Sequence, residues 1–300
     1  MKILTALVKR NTKLFFKDKG IFITSLITPV ILLVLYIAFL AKIYEDSLKM
    51  HIPAGVEVAE RLIDGLVGGQ LMASLLAVSC VTVAFSSNFL MVQDRVSGSI
   101  KDIRISPVGM ATVSLSYYLS SLISTMIVCF SATALCLGWL AVTGWYLSVT
   151  DVLLLLFDVA LLVLFGTALS SIINFFLTSQ GQISAVGTIV GTGYGYICGA
   201  YMPISTFGEG LQRVISFLPG TYGTALVKNH ATRGAFDAMA EAGVPVEVIT
   251  GVRDAIDVNL YFFGTRVEPV AMYGIVAASI VALVGVYVLL NILKQKKNKI

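Results

Sequence analysis

The chain has 300 residues, of which 57% are hydrophobic and only 13% charged, with a formal net charge of +4. An average soluble domain is about a quarter charged, so a water-facing globular protein is excluded. The small positive charge hides an asymmetry along the chain and carries no nucleic-acid signal. Cys80, Cys129, Cys136 and Cys198 fall inside apolar runs without metal-ligand spacing, and they read as small buried hydrophobes.

Residues 2–19 predict a basic amphipathic helix. Ile3, Leu4, Leu7, Val8, Leu14 and Phe15 recur at helical spacing, with lysines on the other face. Such a helix lies in the membrane interface, its cations near lipid headgroups. Six apolar runs follow, at about 21–42, 69–90, 112–142, 152–177, 183–200 and 270–293. A helix needs about 20 apolar residues to cross a bilayer, so each run is a candidate span. The first is too long for a signal-peptide core and is followed at once by others, so no cleavable leader is expected.

Six spans put both ends on one side. That side holds thirteen basic residues against the acids Asp18, Asp94 and Asp102, while the other holds eight basic residues and thirteen acids. Lys and Arg gather on the cytoplasmic side, so both termini are expected there, at the plasma membrane.

Two polar stretches then fall outside. In residues 44–67, Val56, Leu62, Ile63 and Leu66 oppose Glu57, Glu60, Arg61 and Asp64, the pattern of an interfacial helix. Residues 201–268 are longer. Pro203 and Pro219 bracket Ile204 to Leu218, a piece too short to cross, which predicts a re-entrant or outer-surface helix. Beyond it lies a small cap of mixed charge, with a helix expected from Val246 to Val258 after a Gly243–Val244–Pro245 break.

Within the spans a few residues stand out. Gly187, Gly191, Gly195 and Gly199 recur every fourth residue, so one helix face lacks side chains. Close helix packing, inside the bundle or across a dimer, is one use of that face, and a wall along a solute passage is another. Gly191–Thr192–Gly193 has no strand–turn–helix context and is not a nucleotide loop. Asp158 is the lone carboxylate in a span, where a charge is costly and faces the bundle interior. Either it bonds a hydroxyl of the third span, such as Ser120 or Ser124, or it serves transport. Ser79, Thr82 and Ser86 share a face of the second span; with Tyr194 they are the candidate passage residues, interhelical bonding being the other use of such hydroxyls.

The loop 91–109 carries Arg95, Ser97, Gly98, Lys101, Asp102, Arg104 and Pro107. Gly98 or Ser99 can cap a short helix, and Pro107 stops it at Ser106. A charged helix held between two spans suits docking on a soluble partner.

The basic interfacial helix, six spans, Gln93 to Val108 with its Ser106–Pro107–Val108 ending, and Pro203…Leu218–Pro219–Gly220–Thr221–Tyr222 together resemble the permease subunits of type-2 ABC transporters, mostly exporters. The likeness covers nearly the whole chain. Gln93 stands where that family often has Glu, and no salt bridge is carried over to it. The resemblance implies an all-α polytopic fold in one permease domain over 1–300. It also implies a homodimer or heterodimer of permeases above two ATP-binding subunits, Arg95 to Ile105 as the coupling helix, and spans one, two and five beside the passage.

No Gly-x-x-x-x-Gly-Lys-Ser/Thr loop is present, so ATP is expected to be bound and hydrolysed in the partner, with no cofactor in this chain. The expected function is a non-catalytic subunit exporting a hydrophobic or amphipathic compound: a drug, antibiotic or lipidic peptide. An intramembrane enzyme fits poorly, because His51 and His230 fall in stretches read as external and Asp158 has no acidic partner in a span. A stand-alone carrier predicts an internal inverted repeat, and none is clear.

Overall fold

A computed structural model describes residues 2–36, 38, 41–42, 44–46, 58–105 and 108–297. The described chain is 84% helical. Helix α1 (Lys2–Lys17) is amphipathic, as its spacing predicts, and buries Asn11 and Phe15. It packs across α5 (Met110–Thr143), and Phe15 joins Leu90, Val113 and Tyr117 in an apolar cluster of its own. α2 (Lys19–Leu35) turns Leu32 into the main core, as Tyr36 does just beyond its end, while Ile27, Ile31 and Leu35 stay exposed at four-residue spacing.

The bundle is organised around α3 (Glu60–Val96), whose side chains are buried on all sides from Gly65 to Val92. At about 1.5 Å per residue its 37 residues extend roughly 56 Å, well beyond a hydrocarbon core of about 30 Å. Residues 47–57 lie outside those described. Glu60 to Val67, expected in an interfacial helix, are instead the first turns of α3, because Leu62, Ile63 and Leu66 bury in the core. After the short α4 (Ser99–Ile105) and α5, helix α6 (Val149–Phe176) starts at a capping box between Ser148 and Asp151. α7 (Gln180–Ile197) starts at another, between Ser179 and Gln182. Each box satisfies backbone N–H groups that the first turn would otherwise leave open.

The longest departure from expectation is in residues 201–268. Ile204–Thr206 is one 3-10 turn and α8 (Glu209–Ile215) is short and exposed, as the proline bracketing predicts. From Pro219, however, the chain forms α9 (Pro219–Glu241), buried against α3, α6 and α11 (Pro269–Lys297). A surface cap was expected over its second half. The carbonyl oxygens of Ala231 and Tyr146 lie against Gly69 and Gly234, so a side chain at either glycine would hold α9 away from the bundle. α10 (Val246–Ala255) follows and stops earlier than Val258, where Asp257 turns left-handed at φ 58°. A hairpin of β1 (Leu260–Phe262) and β2 (Thr265–Val267), absent from the sequence reading, leads into α11.

Among the described residues, four helices are long and apolar enough to cross a membrane: α3, α5, α6 and α11. α2 and α7 also pack on α3, but α2 has 17 residues and α7 is diluted by glycine and hydroxyl side chains. The all-α polytopic reading therefore stands at four such helices, with the hairpin as a small addition.

Candidate functional site

α2, α3 and α7 enclose a groove of about 1010 Å³. Its floor is the α3 face carrying Thr82, Phe85, Ser86 and Phe89. Ile27, Ile31 and Leu35 of α2 form one wall, and Gly187, Thr188 and Gly191 of α7 the other. The exposure of Ile27, Ile31, Leu35, Thr188 and Thr192 shows that the groove opens away from the chain's core. The lining is mostly apolar with a few hydroxyls. Thr82 spends its hydrogen on the Val78 carbonyl, so its oxygen faces the groove as an acceptor.

The candidate passage residues divide. Thr82 and Ser86 line the groove, but Ser79 is sealed inside the bundle with its hydroxyl on the Leu75 carbonyl. Tyr194 is directed away from the groove, toward Gly220 at the start of α9. The glycine face divides too. Gly187 and Gly191 lie on the groove, and the absence of a side chain at Gly187 leaves room beside the Phe89 ring. Gly195 makes room for the ring of Tyr201, which donates its hydroxyl to the Gly191 carbonyl. Gly199 lies beyond the end of α7 at φ 72°, a turn rather than part of the face.

Asp158 does not meet the third-span serines. Ser120 donates to Tyr117's carbonyl, whereas Asp158 Oδ2 is 2.5 Å from His230 Nδ1 and Oδ1 accepts from the Tyr273 hydroxyl at 2.5 Å. This triad joins α6, α9 and α11. One helical turn pair away, Arg233 of α9 pairs with Asp151 at 2.5 Å in the first turn of α6. Lys228 is fully buried, donating to the carbonyls of Gly199 and Ile256 at 2.7 and 2.9 Å and lying 3.5 Å from Asp257. Asp257 also accepts from the Ile204 amide. Burial pushes the Asp257 carboxyl above the ordinary carboxylate range, while Lys228 and that amide pull it back. Sequence reading missed His230, Tyr273, Lys228 and Asp257 as partners. The available signal was the small-residue series Gly220, Gly223, Ala231 and Gly234, the mark of a helix that packs closely. Among the described residues no three His, Cys, Asp or Glu side chains converge as metal ligands.

At the other end, Gly98 at φ 83° turns the chain into α4, whose Lys101 is exposed. The side chains of Asp102 and Arg104, and all of Pro107, lie outside the described parts. Ser97 and Ser99 bond each other at 3.0 Å. Arg95 turns inward rather than toward solvent. It donates to the carbonyls of Asn174, Phe175 and Leu177 at 3.2, 2.9 and 3.3 Å, closing the C-terminal end of α6. Nearby, Arg10 pairs with Asp94 at 2.8 Å and Tyr117 donates to the same carboxylate at 2.5 Å, which fixes α1 to α3 and α5.

A helical bundle with four helices long and apolar enough to cross a membrane, a groove along one side and a short charged helix at one end fits the membrane domain of a transporter. Residues 3–229 match the family described as ABC-2 type transporter, well over half of the chain, and the protein belongs to that family. It is thus an ABC transporter permease, of a family of transport subunits that normally work with an ATP-binding subunit. No curated protein and no solved structure gives a significant match.

Proposed function

We propose that the chain is the non-catalytic membrane subunit of an ATP-driven exporter for a hydrophobic or amphipathic compound. It would cross the plasma membrane six times, α2 and α7 completing the set, with both termini cytoplasmic. The piece from Ile204 to Leu218, which includes α8, would be a re-entrant or outer-surface helix on the outer side, and a second permease copy or homologue would close the open side of the groove. The groove carries this reading: its volume suits a drug-sized molecule, and its apolar walls carry few polar groups. Thr188→Trp or Thr192→Trp, both at exposed positions on the groove wall, should narrow it while leaving the bundle intact. Transport by the reconstituted complex should fall at least tenfold with normal membrane insertion, a loss of about 1.4 kcal/mol in transition-state terms. Undiminished transport in both variants would move the passage elsewhere.

The coupling surface is tested at Lys101, exposed on α4. Lys101→Glu should weaken co-purification with the ATP-binding subunit and reduce transport, without loss of folded protein. Arg95→Glu is a different experiment. It sets a carboxylate against three carbonyl oxygens and should destabilise the α3–α6 junction before any partner is bound. If Lys101→Glu complexes assemble and transport normally, α4 is a solvated connector.

A further inference from the structure

The end of the molecule that carries α10 exposes an aromatic cluster that the groove does not use. Phe217 follows α8, and its ring centroid lies 5.3 Å from Phe262 and 6.0 Å from Phe263, which are 4.8 Å from each other. Phe217 and Phe263 are 63% and 64% exposed despite these contacts. Pairing of Phe262 with Thr265 leaves Phe263–Gly264 as a two-residue hairpin loop, with φ of 47° and 83°. A loop with both residues left-handed takes Asn, Asp or Gly at its first position. A bulky aromatic there is disfavoured by its own backbone, so neither turn geometry nor core packing accounts for Phe263.

Its setting does. β2 runs into α11 with one residue between Val267 and Pro269, and α11 begins one of the membrane-crossing helices with Val270 fully displayed. Phe217 stands at the matching end of α7, because Thr221, four residues on, donates to the carbonyl of Ile197, the last residue of that helix. The cluster thus sits beside the start of α11, a helix long and apolar enough to cross a membrane, and the end of α7, flanked by Tyr261, Arg266 and Glu268, which suit headgroups. Tyr and Trp concentrate at the headgroup level of membrane proteins, as Tyr261 would, and Phe side chains on interfacial segments bury in the acyl boundary just below it.

We propose that Phe217, Phe262 and Phe263 insert into the boundary between headgroups and acyl chains of the outer leaflet, and so hold the cap on the lipid surface. This rests on the assignment of α11 as a span, and the test separates the two. The full chain is reconstituted in phosphatidylcholine vesicles with a nitroxide on Phe263→Cys, the four native cysteines being buried. Phe262→Cys, outside the left-handed loop, repeats the measurement. Collision with oxygen, which partitions into lipid, is compared with collision with a water-soluble nickel chelate. Val281→Cys in α11 and Val246→Cys in α10, both exposed, are the lipid and water references. Oxygen collisions should exceed nickel collisions at 263 and 262, as at 281 and opposite to 246. Nickel in excess at both sites would place the cluster in water and overturn the proposal. Low collision with both reagents would mean that protein covers it, such as a second copy, and would overturn it equally. A water-like signal at Val281→Cys would show instead that the span assignment is wrong.

Discussion

Asp158→Leu should leave little folded protein, whereas Asp158→Asn should keep both fold and transport. In the leucine variant the His230 ring and the Tyr273 hydroxyl lose their shared acceptor inside the bundle. Each buried group left unpaired costs about 1–3 kcal/mol, and breaking a buried pair from one side costs about 3–5 kcal/mol. Total stability of a domain is only about 5–15 kcal/mol, so that loss is felt in yield as well as melting temperature. Asparagine keeps Oδ1 as the acceptor for Tyr273 and can donate to His230 Nδ1 when the ring proton sits on Nε2. Replacing His230 by Phe beside Asp158→Leu should cost less than the sum of the single changes, because the two act as one unit. Melting in detergent, transport in vesicles and this double-mutant cycle check the account. Equal stability of the Leu and Asn variants would remove the triad's structural role. A stable Asp158→Asn protein that no longer transports would make the carboxylate part of the mechanism.

Lys228→Met is expected to be about as damaging, for a different reason. Methionine fills much of the same volume but leaves the Gly199 and Ile256 carbonyls and the Asp257 carboxylate without their cation. A buried charge deprived of its partner costs about 3–5 kcal/mol. Asp257→Asn in the same background should restore part of the loss, since a neutral amide tolerates the site better. The pH dependence has a definite sign. Burial already raises Asp257 above its ordinary 3.8, and removing Lys228 raises it further. An acid whose folded value is raised keeps its proton in the native state over a pH interval in which the unfolded chain has already lost it. The variant should therefore be least impaired below about pH 4, lose stability as pH rises from the ordinary value of 3.8 toward the raised one, and level off above it. A Lys228→Met protein whose melting temperature matches wild type across that range would show that the cluster contributes nothing.

Much of the molecule was legible from residue order because lipid imposes a simple rule. Long apolar runs at 69–90, 112–142, 152–177 and 270–293 reappear within α3, α5, α6 and α11, since a helix is the way such a run satisfies its backbone without water. The amphipathic α1 and the short helix after Gly98 were likewise written locally, in spacing and turn residues. Residues 219–241 were not. Hydropathy scores the cost of facing lipid, and α9 faces protein, so Lys228 and His230 bury and Arg233 half-buries there once Asp257, Asp158 and Asp151 meet them. Those partners lie at least 29 residues away, beyond any local pattern. The same holds for the groove. Ser79, Thr82 and Ser86 share one face of α3, but neighbours surround that helix completely, and the placement of α2 and α7 decides that Thr82 and Ser86 are reached while Ser79 is sealed. Composition and periodicity thus determined most of the helices, and the motifs at Gln93–Val108 and Pro203–Tyr222 carried the family resemblance; which polar side chains pair and which surface stays open was decided by packing between segments distant in sequence.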